Sequence, residues 1–367
     1  MSRTNFIPYG KPPQGRRRFR ALFPSLCVLL PLLLGCTPDA ENRVVVLQGA
    51  TMGTLYKIQV VEPPPAIEPA ALRDGIETEL DWIEDRMSTY RDNSELSGFN
   101  RSRTTDWFAV SPELAGLVWE AVRISEASDG AFDPTVGPLV NLWGFGPGGD
   151  GTDTPLTEAE LAQAKARVGY RKLSVRLAPP ALRKSEPALY LDLSAIAKGY
   201  GVDRLAALLD AMGIADYLIE LGGELKGRGR NGQGQPWRIA VERPDPDRRV
   251  VHRILALRDG AMATSGDYRN FFEHGDTRYS HTIDPATGRP VTHRLASVTV
   301  LALRAARADA LATAFLVLGP QAGFTLAESL GTPVLFIIRT PEGYSERQTS
   351  AFADHLRLHP NPEAAAG

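Results

Sequence analysis

Cysteine is nearly absent from this 367-residue chain: there are two, Cys27 and Cys36, both close to the N-terminus. That excludes a disulfide scaffold and a cysteine-rich zinc module. Paired histidine ligands are missing too. The six histidines (His252, His274, His281, His293, His355 and His359) nowhere show the HExxH spacing of a zinc helix. There is no GxSxG nucleophile elbow and no GxxxxGK[ST] phosphate loop. GRGRNGQG, residues 227–234, lies between strand-like segments and opens no helix. No period of 20–50 residues recurs, which argues against a solenoid. Positive charge is scarce outside the N-terminus. The first 38 residues hold six basic side chains (Arg3, Lys11, Arg16, Arg17, Arg18, Arg20) and no acidic one, within a formal net charge of −2. Without residues 1–35 the remaining 332 carry 35 basic and 43 acidic side chains, a net −8. No basic surface is left to attract a nucleic acid, so none is expected as partner.

What the N-terminus does contain is a basic lead followed by ALFPSLCVLLPLLL, residues 21–34. This stretch is interrupted by Pro24 and Pro31 and is shorter than the roughly 20 apolar residues of a bilayer-crossing helix. It has the pattern of an export signal. It ends in Leu33-Leu34-Gly35-Cys36, which resembles the bacterial lipobox, where the cysteine thiol is acylated and becomes the new N-terminus. Several acyl chains at Cys36 would hold the protein firmly on a membrane, where one chain binds only marginally. The expected organisation is a lipoprotein signal peptide over 1–35, a lipidated tether over 36–43, one large domain over 44–358 and a disordered tail over 359–367. The expected location is the periplasm-facing bacterial cell envelope, lipid-anchored to the inner or outer membrane.

Beyond the tether, VVVLQGATMGTLYKIQVVE alternates and is β-branched, so it predicts two strands around a turn at Gly53. Leu72, Ile76, Leu80, Ile83 and Met87 mark one face of a helix. Ser111-Pro112 and Thr157 with Glu160 carry helix-start signals, the second a capping box. ALYLDL predicts a strand, and Ala195 to Met212 a helix stopped by Gly213. YLIELGGEL, WRIAVER, RILALR, ASVTVLAL and PVLFIIRT predict further strands, and Ala305 to Leu318 a helix ending at Gly319-Pro320. Strand clusters and helices do not alternate strictly, which predicts an α+β domain of layered mixed sheets with packed helices.

Four segments carry residue types suited to chemistry. In DLSAIAKGYG, residues 192–201, Asp192 ends a strand and Ser194 is placed to cap the next helix. Lys198, Gly199 and Gly201 then fall in its first turns, where free N–H groups and the helix dipole attract phosphate. The same glycines equally suit tight helix packing. Asp309 and Thr313 are spaced i, i+4, which puts a carboxylate and a hydroxyl on one helix face. Such hard oxygens suit Mg²⁺, although an Asp early in a helix is also favoured by the dipole alone. In RYSHTIDPATGRP, residues 278–290, His281 and Asp284 flank a DPATG turn and could share proton transfer, or Asp284 could simply cap the turn. AFDPTVGPLVNLWGFG, residues 131–146, offers aromatics for a planar ligand or for the core, with one acid, Asp133. Polar residues also gather in residues 260–272.

TMGT, MSTY…SELSGFN, AFDPTVGPLVNLWGFG, DLSAIAKGYG, LIELGGE, ATSGDYRNFF, SHTIDPATGRP and ADALATA occur in the order found in ApbE-type FAD:protein FMN transferases. The resemblance spans roughly residues 45–340 and implies a single large ApbE-like, T-fold-like domain. It implies that the chain binds FAD with Mg²⁺, moves the FMN group to a threonine hydroxyl of a target protein and releases AMP. Targets in that family are flavoprotein subunits of membrane redox complexes, of the sodium-pumping quinone reductase or Rnf type. The family pattern places Mg²⁺ at Asp309, Thr313 and the backbone carbonyl of Ala195. It places FAD against Asp192 and Lys198, with Met52, Tyr90, Ala131, Phe132, Asp133 and Ile283 lining the flavin and adenine sites. His281 and Asp284 are the candidates for activating the threonine hydroxyl. Two other functions suit the same residues: a Mg²⁺-dependent FAD pyrophosphatase giving FMN and AMP, and a flavin-binding lipoprotein without chemistry.

Overall fold

A computed structural model describes residues 42–146, 156–245, 248–267, 271–274 and 277–359. The signal segment, Cys36 and all of the expected tail except His359 lie outside these residues. The centre of the fold is an eight-stranded sheet. In spatial order its strands are Val44–Thr51, Thr54–Val61, Asp216–Leu221, Glu224–Arg228, Gly260–Gly266, Leu295–Ala302, Val334–Thr340 and Gly343–Gln348. Every neighbouring pair is antiparallel. The helices are α1 Pro69–Met87, α2 Glu95–Arg101, α3 Pro112–Ala127, α4 Gly137–Leu142, α5 Glu158–Lys165, α6 Ala197–Ala211, α7 Ala305–Ser329 and α8 Ser350–Leu358. The molecule is the α+β, layered arrangement that the order of elements predicts.

Alternation along the strands decides which layer each face meets. Ile58, Val60, Ile219, Leu221 and Ala261 point to one side, where α1 and α6 bring Leu72, Ile76, Leu80, Val202, Leu205 and Leu209. Leu218, Leu225, Met262, Leu301 and Leu335 point to the other. A separate hairpin, Trp237–Glu242 with Val251–Leu257, and Phe352 of α8 cover them there. The α1 stripe Leu72, Ile76, Leu80, Ile83 and Met87 is buried throughout, as its spacing predicts. Each such side chain contributes roughly 1.5–3 kcal/mol through burial. The Ser111 hydroxyl accepts from the Leu114 N–H, and the Thr157–Glu160 capping box is closed in both directions.

α7 is the central helix, and its apolar length is buried among the other elements. It breaks at Gly319, whose φ of 77° and ψ of −176° are not helical, with Pro320 next. The helix expected to stop there does stop, and a second helical segment continues to Ser329.

Two expectations around residue 192 are corrected. ALYLDL forms no strand. Its backbone groups bond to side chains and loops: Leu191 exchanges two hydrogen bonds with the Asn100 amide, and the Asp192 N–H donates to Pro134 O. Ser194 does not cap the following helix either. Its N–H and hydroxyl both donate to Asp192 Oδ1, and α6 starts three residues later at Ala197 with no side-chain cap of its own.

Candidate active site

The first turn of α6, at Lys198, and α7 from Asp309 onward border a cleft of about 1440 Å³. That is larger than the roughly 300–1,000 Å³ of an ordinary small-molecule pocket. Lys198, on the first turn of α6, points its Nζ at Glu224 Oε1 (3.2 Å) and Asp309 Oδ1 (3.9 Å). Asp309 Oδ2 accepts the Gly199 N–H at 3.1 Å. Thr313, one helical turn beyond Asp309, lies 3.3 Å from Ser265 Oγ through its hydroxyl. Ala195 and Asp192 border the same cleft.

Glu224 was given no role by the sequence, although it closes the LIELGGE segment. The Gly222-Gly223 turn, with φ of 61° and 104°, reverses the chain beside Lys198 and delivers Glu224 into the cluster. A buried acid directly after a Gly-Gly turn was the available signal. Its Oε2 is buried without a hydrogen-bond partner.

Glu224 and Asp309 are 4 % and 3 % exposed, so their charges are scarcely screened by water. Burial pushes the Asp309 carboxyl above the usual range, against the pull of Lys198 and the Gly199 N–H. Burial also raises Glu224; Lys198 draws it back and Asp309 raises it further. Burial works to lower Lys198, but the two carboxylates outweigh it and hold the ammonium above the ordinary lysine value. Two acids facing one lysine leave the cluster short of positive charge when both are ionised. The donors at hand are oxygens, the Asp309 carboxylate and the Thr313 hydroxyl, and Ala195 lines the same cleft. This set fits a hard cation such as Mg²⁺, which keeps waters and substrate phosphates in its shell. Among the described residues, no three His, Cys, Asp or Glu side chains form a cage of their own.

The walls hold most of the residues expected to meet FAD. Tyr90, Ala131, Phe132, Asp133 and Ile283 all border the cleft, as does His281, the candidate for proton transfer. Asp133 is 7 % exposed, and its carboxylate is already engaged by the Thr135 N–H, the Thr135 hydroxyl and the Tyr170 N–H. It therefore shapes the 131–136 loop. Trp143, the core alternative for the aromatic run, is buried and donates its ring N–H to Gly288 O. Phe145 stands at the cleft, edge-on to the His281 ring at 6.3 Å between centroids.

Two expected residues lie elsewhere. Met52 sits in the turn of the first hairpin, where its N–H donates to Glu84 Oε1 and its side chain packs near Gly201. It borders a shallower neighbouring pocket that shares Thr54 and Leu55 with the main cleft. Asp284 does not border the main cleft. Its Oδ1 accepts the Ala286 N–H, the turn-capping role that DPATG also allowed. The glycines of DLSAIAKGYG serve packing. A Cβ on Gly199 would lie 2.3 Å from Ala305 O, and one on Gly201 3.3 Å from Leu221. Residues 268–270 of the polar segment lie outside the described residues.

Comparison with known proteins identifies the family. The ApbE family profile matches residues 52–336. The chain is 46% identical over 327 residues to the FAD:protein FMN transferase of Vibrio cholerae, covering 89% of this chain and 96% of that one. It is 42% identical to that of Salmonella typhimurium, covering 89% and 94%. The solved flavin transferase ApbE from Vibrio cholerae superposes with a TM-score of 0.80 at 44% identity, over 85% of this chain and 99% of that one. The apo flavinyl transferase ApbE of Pseudomonas stutzeri does so with 0.79 at 39% identity, over 86% and 98%. On the match across most of its length and the shared fold, the chain belongs to the ApbE family.

Proposed function

We infer that this protein transfers the FMN moiety of FAD to a threonine hydroxyl of a target protein, releasing AMP. The observation that carries this reading is the Lys198–Glu224–Asp309 cluster with Thr313, at the floor of a cleft too large for one small ligand. The hydroxyl oxygen attacks the phosphorus on the riboflavin side of the FAD pyrophosphate. The bond from that phosphorus to the bridging oxygen breaks, and AMP leaves with the oxygen and its charge. Lys198 offers a fixed positive charge to the pyrophosphate, and positioning plus electrostatics supply most of the catalysis of such transfers. Asp309, Thr313 and the Ala195 carbonyl would hold Mg²⁺, which when bound neutralises phosphate charge. His281, on the cleft wall, would accept the hydroxyl proton.

The cleft also extends along the outer face of the first two strands. Leu55, 71 % exposed, and Lys57 border it there. This open arm gives a protein segment room to bring a hydroxyl in while FAD occupies the floor. The proposed acceptors are flavoprotein subunits of membrane redox complexes, of the quinone reductase or Rnf type. Acylation at Cys36 would hold the enzyme at the membrane, facing the periplasm, where such subunits lie.

The test is incubation of the purified chain with FAD, Mg²⁺ and the threonine-bearing domain of a quinone-reductase flavin subunit. Yellow fluorescence that stays on the domain through denaturation, with one AMP per flavin, is the expected result. Free FMN with AMP and no labelled domain would make the protein a pyrophosphatase. FAD bound without AMP release would make it a carrier.

A further inference from the structure

The two helices that carry the cluster lack caps of their own. Neither Ile196, before α6, nor Arg304, before α7, makes a side-chain cap bond. Each helix is instead capped by an aspartate of the other. Asp309 of α7 accepts the Gly199 N–H of α6. In return Asp203 of α6 accepts the Ala305 N–H at 3.0 Å and the Ala306 N–H at 3.1 Å, one carboxylate oxygen for each. Both aspartates lie four residues beyond the crossing, at Gly199 and Ala305 respectively. The helices touch there through backbone, since the space beside Gly199 is filled by the Ala305 carbonyl. Lys226 Nζ lies 2.8 Å from Asp203 Oδ1 and also donates to Leu303 O, which fixes the carboxylate and the chain entering α7. Arg304 Nε stands 3.7 Å from its other oxygen.

We propose that Asp203 is a positioning residue for the metal and phosphate ligands: its double cap sets the rotation and depth of α7, and thereby where Asp309 and Thr313 stand relative to Lys198. This rests on the reading of those residues given above. Asp203 does not border the cleft. Its effect is transmitted through helix geometry. Asp309 and Thr313 follow the capped residues by about one and two turns, so a slip of one residue at the start of α7 rotates both by about 100°. Because Asp309 Oδ2 is tied to α6 in the same interlock, its Oδ1 is the oxygen turned to Lys198. Displacements of about 1 Å are enough to cost reaction geometry dearly.

The experiment is titration of the full chain with Mn²⁺, a hard-oxygen stand-in for Mg²⁺, following free Mn²⁺ by electron paramagnetic resonance, alongside thermal unfolding. Asp203→Ala removes both cap bonds. Asp203→Asn keeps one acceptor and the side-chain shape, and carries the test if the alanine variant fails to fold. Ser111→Ala removes a cap of similar kind from α3, away from the cluster, and is the structural control. The expected result is a dissociation constant for Mn²⁺ at least tenfold weaker for Asp203→Ala, with Asp203→Asn between it and the wild type and Ser111→Ala unchanged. Asp203 variants that lose thermal stability as Ser111→Ala does, yet bind Mn²⁺ like the wild type, would overturn the proposal while leaving the metal reading intact. A wild type that binds no Mn²⁺ would instead sink the metal reading, and the proposal with it.

Discussion

The crossing of α6 with α7 and the turn over residues 283–290 are both organised by an aspartate that accepts a backbone N–H. At the crossing, Asp309 gives Oδ2 to Gly199 and keeps Oδ1 facing an ammonium group, in a buried space shared with Glu224. At the turn, Asp284 gives Oδ1 to Ala286, and its carbonyl takes the Gly288 N–H. The first aspartate bridges elements 110 residues apart; the second closes a loop on itself. The difference teaches that a capping bond does not by itself divide structural from chemical carboxylates. What divides them is where the second oxygen points and how little water reaches it.

The comparison breaks most visibly at Asp309. Asp309→Ala should lower AMP release by about 10³-fold, the order seen when a fixed charge-stabilising group is lost. Its structural cost should stay near that of one lost helix cap, about 0.5–2 kcal/mol. Chromatographic AMP assay beside urea unfolding separates the two, and unchanged turnover would remove Asp309 from the site. Asp284→Asn is the matched change at the turn. Asparagine caps such turns as well as aspartate does, so AMP release should change by no more than about threefold. A loss of a hundredfold would return Asp284 to proton transfer.

The smallest effect concerns a buried charge that faces no carboxylate. Lys184 is 1 % exposed and donates to the carbonyls of Phe99 and Leu189. Burial, then the nearby Arg103, lowers its pKa to about 8. An unfolded chain keeps that lysine protonated up to about 10.4. Between these values the unfolded state holds more protons, so this group makes stability rise with pH from about 8 upward. Below 8 both states are protonated and the contribution is flat. Lys184→Met should flatten the rise in urea midpoint between pH 7.5 and 9.5; an unaltered slope would place the titration elsewhere.

Much of this molecule is legible residue by residue. The α1 stripe, the caps at Ser111 and Thr157, the break at Gly319-Pro320 and the strand alternations rest on interactions within a few positions of each other. The physics of such interactions is local. ALYLDL misleads because its alternating leucine and aromatic character suits a strand without showing whether another strand lies beside it. Asn100 lies there instead. Ser194 misleads because Asp192, two residues away, competes for its groups. Glu224 escapes notice because its importance comes from Lys198 and Asp309, which lie far along the chain.

The sequence by itself determined the secondary-structure periods, the family, and the presence of Asp309, Thr313 and Lys198 near helix starts. Only the tertiary structure decided that the two helices cap each other, that Glu224 joins their cluster, and that Asp284 caps its own turn. Local patterns follow from bonds between neighbours. The state of a buried charge depends on every group that replaces its water, and those groups come together only when the chain has folded.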